Sequence, residues 1–276
     1  MVHAVILGCG YVGKAVARHW QSKGLTVTAT TTHPEKVPAL QAIAHQAIVL
    51  QGNDAAALRD VFSNTEVLLV SVGAPSADAY EATYLETAKT LVSVLPDTAV
   101  RQVIYTGSYA VYGDQGGAWV DEETAIAPAN RNGEILAETE EILLQVATDQ
   151  RAVCVLRLGG IYGPGRELAR IFSRAAGSTR PGDGSDASNW IHLDDIVGAI
   201  AFAEQHRLSG VYNLVQTDPT TTGELINRVL QAQQLPPVTW DASQSSTRPY
   251  NARVSNQKLR DAGYTLIHPT IDLGGN

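Results

Sequence analysis

The first residues able to do chemistry are glycines. In "GCGYVG", Gly8, Gly10 and Gly13 stand in G-x-G-x-x-G spacing between an apolar run and a helix-like segment that starts at Tyr11 and Val12. The first glycine of such a loop permits a tight turn, the second lets backbone approach a pyrophosphate, and the third lets helix and strand pack closely. Free N–H groups at the helix start then face the anion. The spacing predicts a dinucleotide site over residues 8–13; a purely structural glycine turn is the competing reading. Cys9 sits inside this loop, where a helix N-terminus can depress a thiol pKa. A small filler is the simpler role, and Cys9 is given no chemistry.

The end of the second strand discriminates between the two nicotinamide dinucleotides. An NAD site carries an acid there to bind the ribose 2′-hydroxyl. This chain has "TATTTHPEK" instead, with Thr31, Thr32, His33 and Lys36 as hydroxyl and basic groups suited to a 2′-phosphate. Glu35 follows a proline and reads as a helix start, where an acid is favoured. NADP(H) is therefore favoured, with NAD(H) as the alternative. Val72 and Gly73, at the end of the fourth apolar run, are assigned to the same cofactor surface.

The elements that must position these groups follow from periodicity. Apolar runs at 3–7, 25–30, 46–50, 66–72, 101–107 and 152–158 are unbroken rather than alternating, as expected of strands buried on both faces of a parallel sheet. Helical segments at 11–23, 34–44, 54–61, 78–95 and 131–148 alternate with them. The fold class predicted is α/β, a Rossmann-type doubly wound parallel sheet. After residue 160 the pattern changes, and pieces in 160–190 and 215–276 read as a small substrate lobe of one domain spanning 1–276. The glycine-rich stretch 177–188 is the expected mobile loop.

Composition narrows the partners. The chain has 276 residues, 44% hydrophobic and 17% charged, with a formal net charge of −8. That balance, with no run of Lys and Arg, argues against nucleic acid and anionic membranes. No apolar stretch approaches the ~18 residues of a membrane span, and no secretory leader is read at the start. Cys9 and Cys154 are not spaced as a disulfide framework and suggest reduced thiols in the cytoplasm. The partners expected are a dinucleotide and an unidentified small molecule, in a monomer or homodimer.

Later segments resemble the extended and atypical short-chain dehydrogenase/reductases, the NAD(P)-dependent epimerase/dehydratase-like family. "VIYTGSYAVYGD", "LRLGGIYGPGR", "NWIHLDDIVGAI", "GVYNLV" and "RVSNQKLRDAGYTLIHPT" are similar to that family's ordered motifs, and the resemblance spans nearly the whole chain. It implies that Ser108 assists catalysis and that the segment near Tyr162 lies by the nicotinamide and substrate entrance. Tyr112 and Tyr162 are candidate proton donors, with packed aromatics as the bland alternative. Arg157 and Arg166 are candidates for an anionic substrate or cofactor phosphate, and His192 is placed on the substrate side. Asp194 and Asp195 fit a helix N-cap and first turn better than a metal or acid/base set, so no metal is assigned.

The family also carries a Tyr-x-x-x-Lys pair, in which lysine lowers the tyrosine pKa and tyrosine moves the proton. Aligned on Gly133 and Glu140, those positions hold Asn132 and Leu136, and no Tyr or Lys occurs from 120 to 149. Three functions remain open. One is an NADP(H)-dependent oxidoreductase or isomerase with a relocated proton donor, Tyr109, Tyr112 or Tyr162 with Ser108. The others are a non-catalytic NADP-binding redox sensor or assembly protein, and a small-molecule binding module.

Overall fold

Apolar strands rich in Val and Ile pair their backbone polar groups in a ladder, and the computed structural model shows that ladder directly. It describes residues 2–271 and 273. The central sheet contains β1 (His3–Leu7), β2 (Thr26–Thr31), β3 (Gln46–Val49), β4 (Val67–Val70) and β5 (Gln102–Ser108), followed by strands Ala152–Leu158 and Gly210–Leu214. From one edge the order is Gly210–Leu214, Ala152–Leu158, β5, β4, β1, β2, β3. The pairs from β5 to β3 are parallel, with Ile6 of β1 opposite Ala29 on one side and Leu69 on the other. The order reverses direction at β1, so the crevice at its carboxyl end is where a doubly wound sheet binds ligands.

Helices α1 (Tyr11–Ser22), α2 (Val37–Gln41), α3 (Ala55–Phe62), α4 (Glu86–Val94) and α5 (Arg131–Leu144) connect these strands. α1 buries Val12, Val16, Ala17 and Trp20 on one face and ends before Gly24, whose φ of 83° only glycine adopts cheaply. Val5, Leu7, Leu68, Val70, Val103 and Tyr105 meet Leu91 and Leu143 in the main apolar core.

Several elements depart from expectation. β3 is the outermost strand, and Val49 is 48% exposed, because an edge strand has no neighbour to cover it. The helix expected over 78–95 opens with a π-helical turn, Glu81–Leu85, before α4. α5 stops at Leu144, where the N–H groups of Gln145, Val146 and Ala147 bond three residues back and tighten the last turn.

The chain divides into two compact units, Met1–Ser108 with Arg131–Arg157 and Val197–Tyr212, and Tyr109–Asn130 with Leu158–Ile196 and Asn213–Asn276. The second unit takes in 109–130, which periodicity had not separated from the sheet region. Within it, helix Thr222–Ala232 begins with a capping box between Thr221 and Glu224. The stretch 177–188 is anchored rather than free. Thr179–Pro181 pairs with Thr239–Asp241, and Ala187–Ser188 pairs with Thr220–Thr221. The carbonyls of Gly184 and Asp186 accept the N–H groups of Gly223 and Thr222 at 2.8 Å each, using donors that open the helix.

Candidate active site

The three loop glycines meet three different environments. Gly8 has φ 84°, and a Cβ there would lie 2.8 Å from the Val72 Cα and 2.9 Å from the Ser71 carbonyl. Its N–H donates to Thr30 Oγ1 at 3.0 Å, tying the turn to β2. At Gly13 a Cβ would press on Ile6 Cγ2 at 3.0 Å and the Gly8 carbonyl at 3.1 Å, so helix and strand touch there. At Gly10, the residue before α1, an added Cβ would meet nothing within 4 Å. That bare Cα, at the head of a helix whose first N–H groups lack intrahelical acceptors, fits the approach of a pyrophosphate. Gly73, exposed just beyond β4, is equally open. Cys9 is buried, and its thiol is pushed up to about 11 by that burial, outweighing the pull of Lys14 and Arg18. It is a filler and not a nucleophile.

β2 ends with the buried hydroxyl-bearing Thr30 and Thr31, and Thr32, His33 and Lys36 are exposed after it. The His33 N–H donates to Thr31 Oγ1 at 3.2 Å. Glu35 lies in the short helical turn Pro34–Lys36, as its position after proline predicts, and its carboxylate stands 3.1 Å from His33 Nδ1.

Ser108 closes β5, half-buried. On α5, Asn132 is half-buried and Leu136 is 7% exposed, one turn apart. Further along the same helix Glu140 is enclosed. Arg157 donates to Glu140 Oε2 from both Nε and Nη2 at 2.9 Å, with both side chains almost inaccessible. Glu140 Oε1 faces the Cα of Gly107, where a Cβ would stand only 2.8 Å away. Burial raises the Glu140 carboxyl to about 7 despite Arg157. The guanidinium expected to greet an anionic substrate is turned inward onto α5, because a buried carboxylate on the adjoining helix is the stronger claim.

The tyrosines of the later motifs are also turned inward. Tyr112 is fully buried and its hydroxyl donates to Asn213 Oδ1 at 2.9 Å. Tyr109 accepts from Arg248 Nη2 at 3.3 Å, and burial pushes its phenol up to about 12. Tyr162 packs edge-on against Trp190 and His192 in an apolar cluster. The hydroxyls of Tyr112 and Tyr109 are thus engaged by Asn213 and Arg248, and the Tyr162 ring is packed among aromatic neighbours. Arg166 remains exposed. His192 precedes helix Leu193–His206, and its Nδ1 accepts the Asp194 N–H at 3.2 Å. The N-cap is therefore His192 and not Asp194, and both aspartates occupy the first turn.

The model of the NAD dependent epimerase/dehydratase family matches residues 4–214. The chain belongs to this family. It is 30% identical over 227 residues to Protein YeeZ of Escherichia coli K12, which covers 78% of this chain and 77% of that protein. Its fold is similar to the UDP-glucuronic acid 4-epimerase of Bacillus cereus, at a TM-score of 0.81 and 14% identity over 99% of this chain and 95% of that one. The dTDP-glucose 4,6-dehydratase of Bacillus anthracis, solved with NAD, matches at a TM-score of 0.77 and 19% identity over 95% of this chain and 90% of that one. Likenesses at this identity concern the fold alone. Family membership makes the chain an NAD(P)-binding protein of the short-chain dehydrogenase type, and no helix among the described residues is long and apolar enough to cross a membrane.

One hydroxyl escaped the sequence reading. Tyr80 and Tyr84 lie at i, i+4 across the π-helical turn, with ring centroids 5.1 Å apart. The Ala74 N–H, in the loop after β4, donates to the Tyr84 hydroxyl oxygen at 3.4 Å. The paired tyrosines in "AYEATYL" were the available signal, and π turns recur at functional sites. Their meaning depended on where the β4 loop runs, which periodicity does not report.

Proposed function

We propose that this chain is an NADP(H)-dependent oxidoreductase or isomerase acting on a small carbonyl or hydroxyl substrate, with its proton chemistry moved off α5. The observation that carries the reading is the open Cα of Gly10 at the start of α1. The loop Gly8–Gly13 with Val72 and Gly73 would hold the dinucleotide, and Thr31, Thr32, His33 and Lys36 would hold the 2′-phosphate. Glu35 is engaged by His33 and does not stand at the strand end as a ribose ligand. The nicotinamide, when bound, supplies or accepts the hydride.

Ser108 at the end of β5 orients the substrate oxygen in this reading, and Tyr84 supplies the proton. Burial raises the Tyr84 phenol, so it keeps its proton through neutral pH, the form that carbonyl reduction consumes. Accepting from Ala74 also leaves its O–H able to donate. The protein works as a monomer or homodimer in the cytoplasm.

Fluorescence titration is expected to give tighter binding of NADPH than NADH, and His33→Ala with Lys36→Ala should erase the difference. Equal or reversed affinity in the wild type overturns the NADP assignment. In a screen of aldehydes, ketones and nucleotide sugars, Tyr84→Phe should lower kcat by about 10²–10⁴-fold with NADPH affinity unchanged. An unaltered kcat removes Tyr84 from the mechanism. The second reading, a non-catalytic NADP sensor, is favoured by Leu136, which leaves no ribose-binding lysine on α5. NADPH binding with no turnover of any carbonyl would decide for it.

A further inference from the structure

His192 looked solitary in sequence, since the next histidine able to join it lies at position 268. The fold brings the two together. Asp195, fully buried in the first turn of helix Leu193–His206, accepts the N–H groups of Ile267 at 2.6 Å and His268 at 2.9 Å, and the Tyr264 hydroxyl donates to its carbonyl at 2.9 Å. These bonds fix the backbone of 264–268 against the helix start. The imidazoles of His192 and His268 then lie with centroids 3.9 Å apart. Both face one carboxylate oxygen: Asp194 Oδ2 is 3.4 Å from His192 Nδ1 and 3.3 Å from His268 Nε2.

We propose that His192, Asp194 and His268 form a binding site for a divalent transition metal of the zinc class. Three ligand atoms, one from each residue, lie within 4.8 Å of one another. A tetrahedral ion with bonds of about 2.0–2.1 Å has ligand–ligand edges of about 3.3 Å, and the two separations to Asp194 Oδ2 match that edge. The donor set, two imidazoles and a carboxylate, suits zinc, cobalt or nickel and leaves a fourth position for water or a ligand. The His192 tautomer is already arranged. Accepting the Asp194 N–H holds the His192 proton on Nε2 and leaves Nδ1 unprotonated, the state a metal requires. A metal takes over that lone pair from a 3.2 Å hydrogen bond. The helix N-terminus disfavours a cation, and the carboxylates of Asp194 and Asp195 in the first turn offset it.

Tag-free protein titrated with Zn(II) by calorimetry should bind one equivalent in the micromolar range or tighter. Co(II) should give the visible absorption of a four-coordinate ion, and Zn(II) should raise the thermal midpoint. His268→Ala and Asp194→Asn should each lose all three responses. Neither change touches the scaffold, because Asp195 holds the His268 backbone and the Asp194 N–H does the capping. Should one variant fold poorly by circular dichroism, the other decides. No saturable Zn(II) binding by the wild type, or binding unchanged in both variants, overturns the proposal.

Discussion

Gly10→Ala is expected to weaken NADPH binding by about 100-fold or more, with a smaller loss of stability than Gly8→Ala causes. The added methyl meets no atom within 4 Å, and the stability it costs comes from the Gly10 backbone alone, whose φ −86° and ψ −140° lie outside the α and β regions. The ligand does not tolerate it, because the methyl occupies the space through which pyrophosphate reaches the helix N–H groups. Each hydrogen bond to a charged group contributes about 1.5–3 kcal/mol, and tenfold in affinity corresponds to about 1.4 kcal/mol, so displacing two such bonds accounts for the loss. Gly8→Ala makes the internal control. Its methyl would strike the backbone of Ser71 and Val72 at 2.8–2.9 Å in a left-handed conformation, so stability falls with it, by about 1–3 kcal/mol from strain alone. Calorimetry and fluorescence titration on the two variants separate the effects. If Gly10→Ala bound NADPH as the wild type does, the cradle would not be the cofactor site.

Arg157→Met is expected to destabilise the protein by about 1–3 kcal/mol, because it leaves the buried Glu140 carboxyl without its hydrogen-bond partner. Removing both charges with Glu140→Met in addition should recover most of the loss, since a buried ion pair exchanged for apolar volume is often neutral. Denaturant melts of the two single changes and the double change measure the coupling. Additive effects would mean the two side chains do not act as a pair.

The same carboxyl makes a pH prediction. Its folded value of about 7 lies above its ordinary 4.5, so between those values the folded state binds more protons than the unfolded state. Its contribution to stability is complete below 4.5 and is lost as pH rises through 7. The stability of the wild type relative to Glu140→Gln should therefore decline across that window. A flat difference would place the folded pKa near its ordinary value.

Sequence alone determined the parts of this molecule that are set by neighbours along the chain. The glycine spacing specified one turn, one approach and one packing contact, because backbone stereochemistry at Gly8, Gly10 and Gly13 is local. The unbroken apolar runs specified parallel strands for the same reason. Loss of the tyrosine–lysine pair was also legible, since no register of α5 supplies either residue.

Tertiary structure alone decided which side chains face each other. Arg157 read as a substrate ligand until the sheet brought it to Glu140. Packing encloses Tyr112 and Tyr162, and Tyr84 gained its interest only when the π-helical turn met the loop after β4. His192 became one of a trio because Asp195 draws residue 268 back to the same helix. Such pairings join residues separated by 10 to 101 positions, and their partners are chosen by how the crossovers fold in space and by the cost of leaving a buried polar group unmatched.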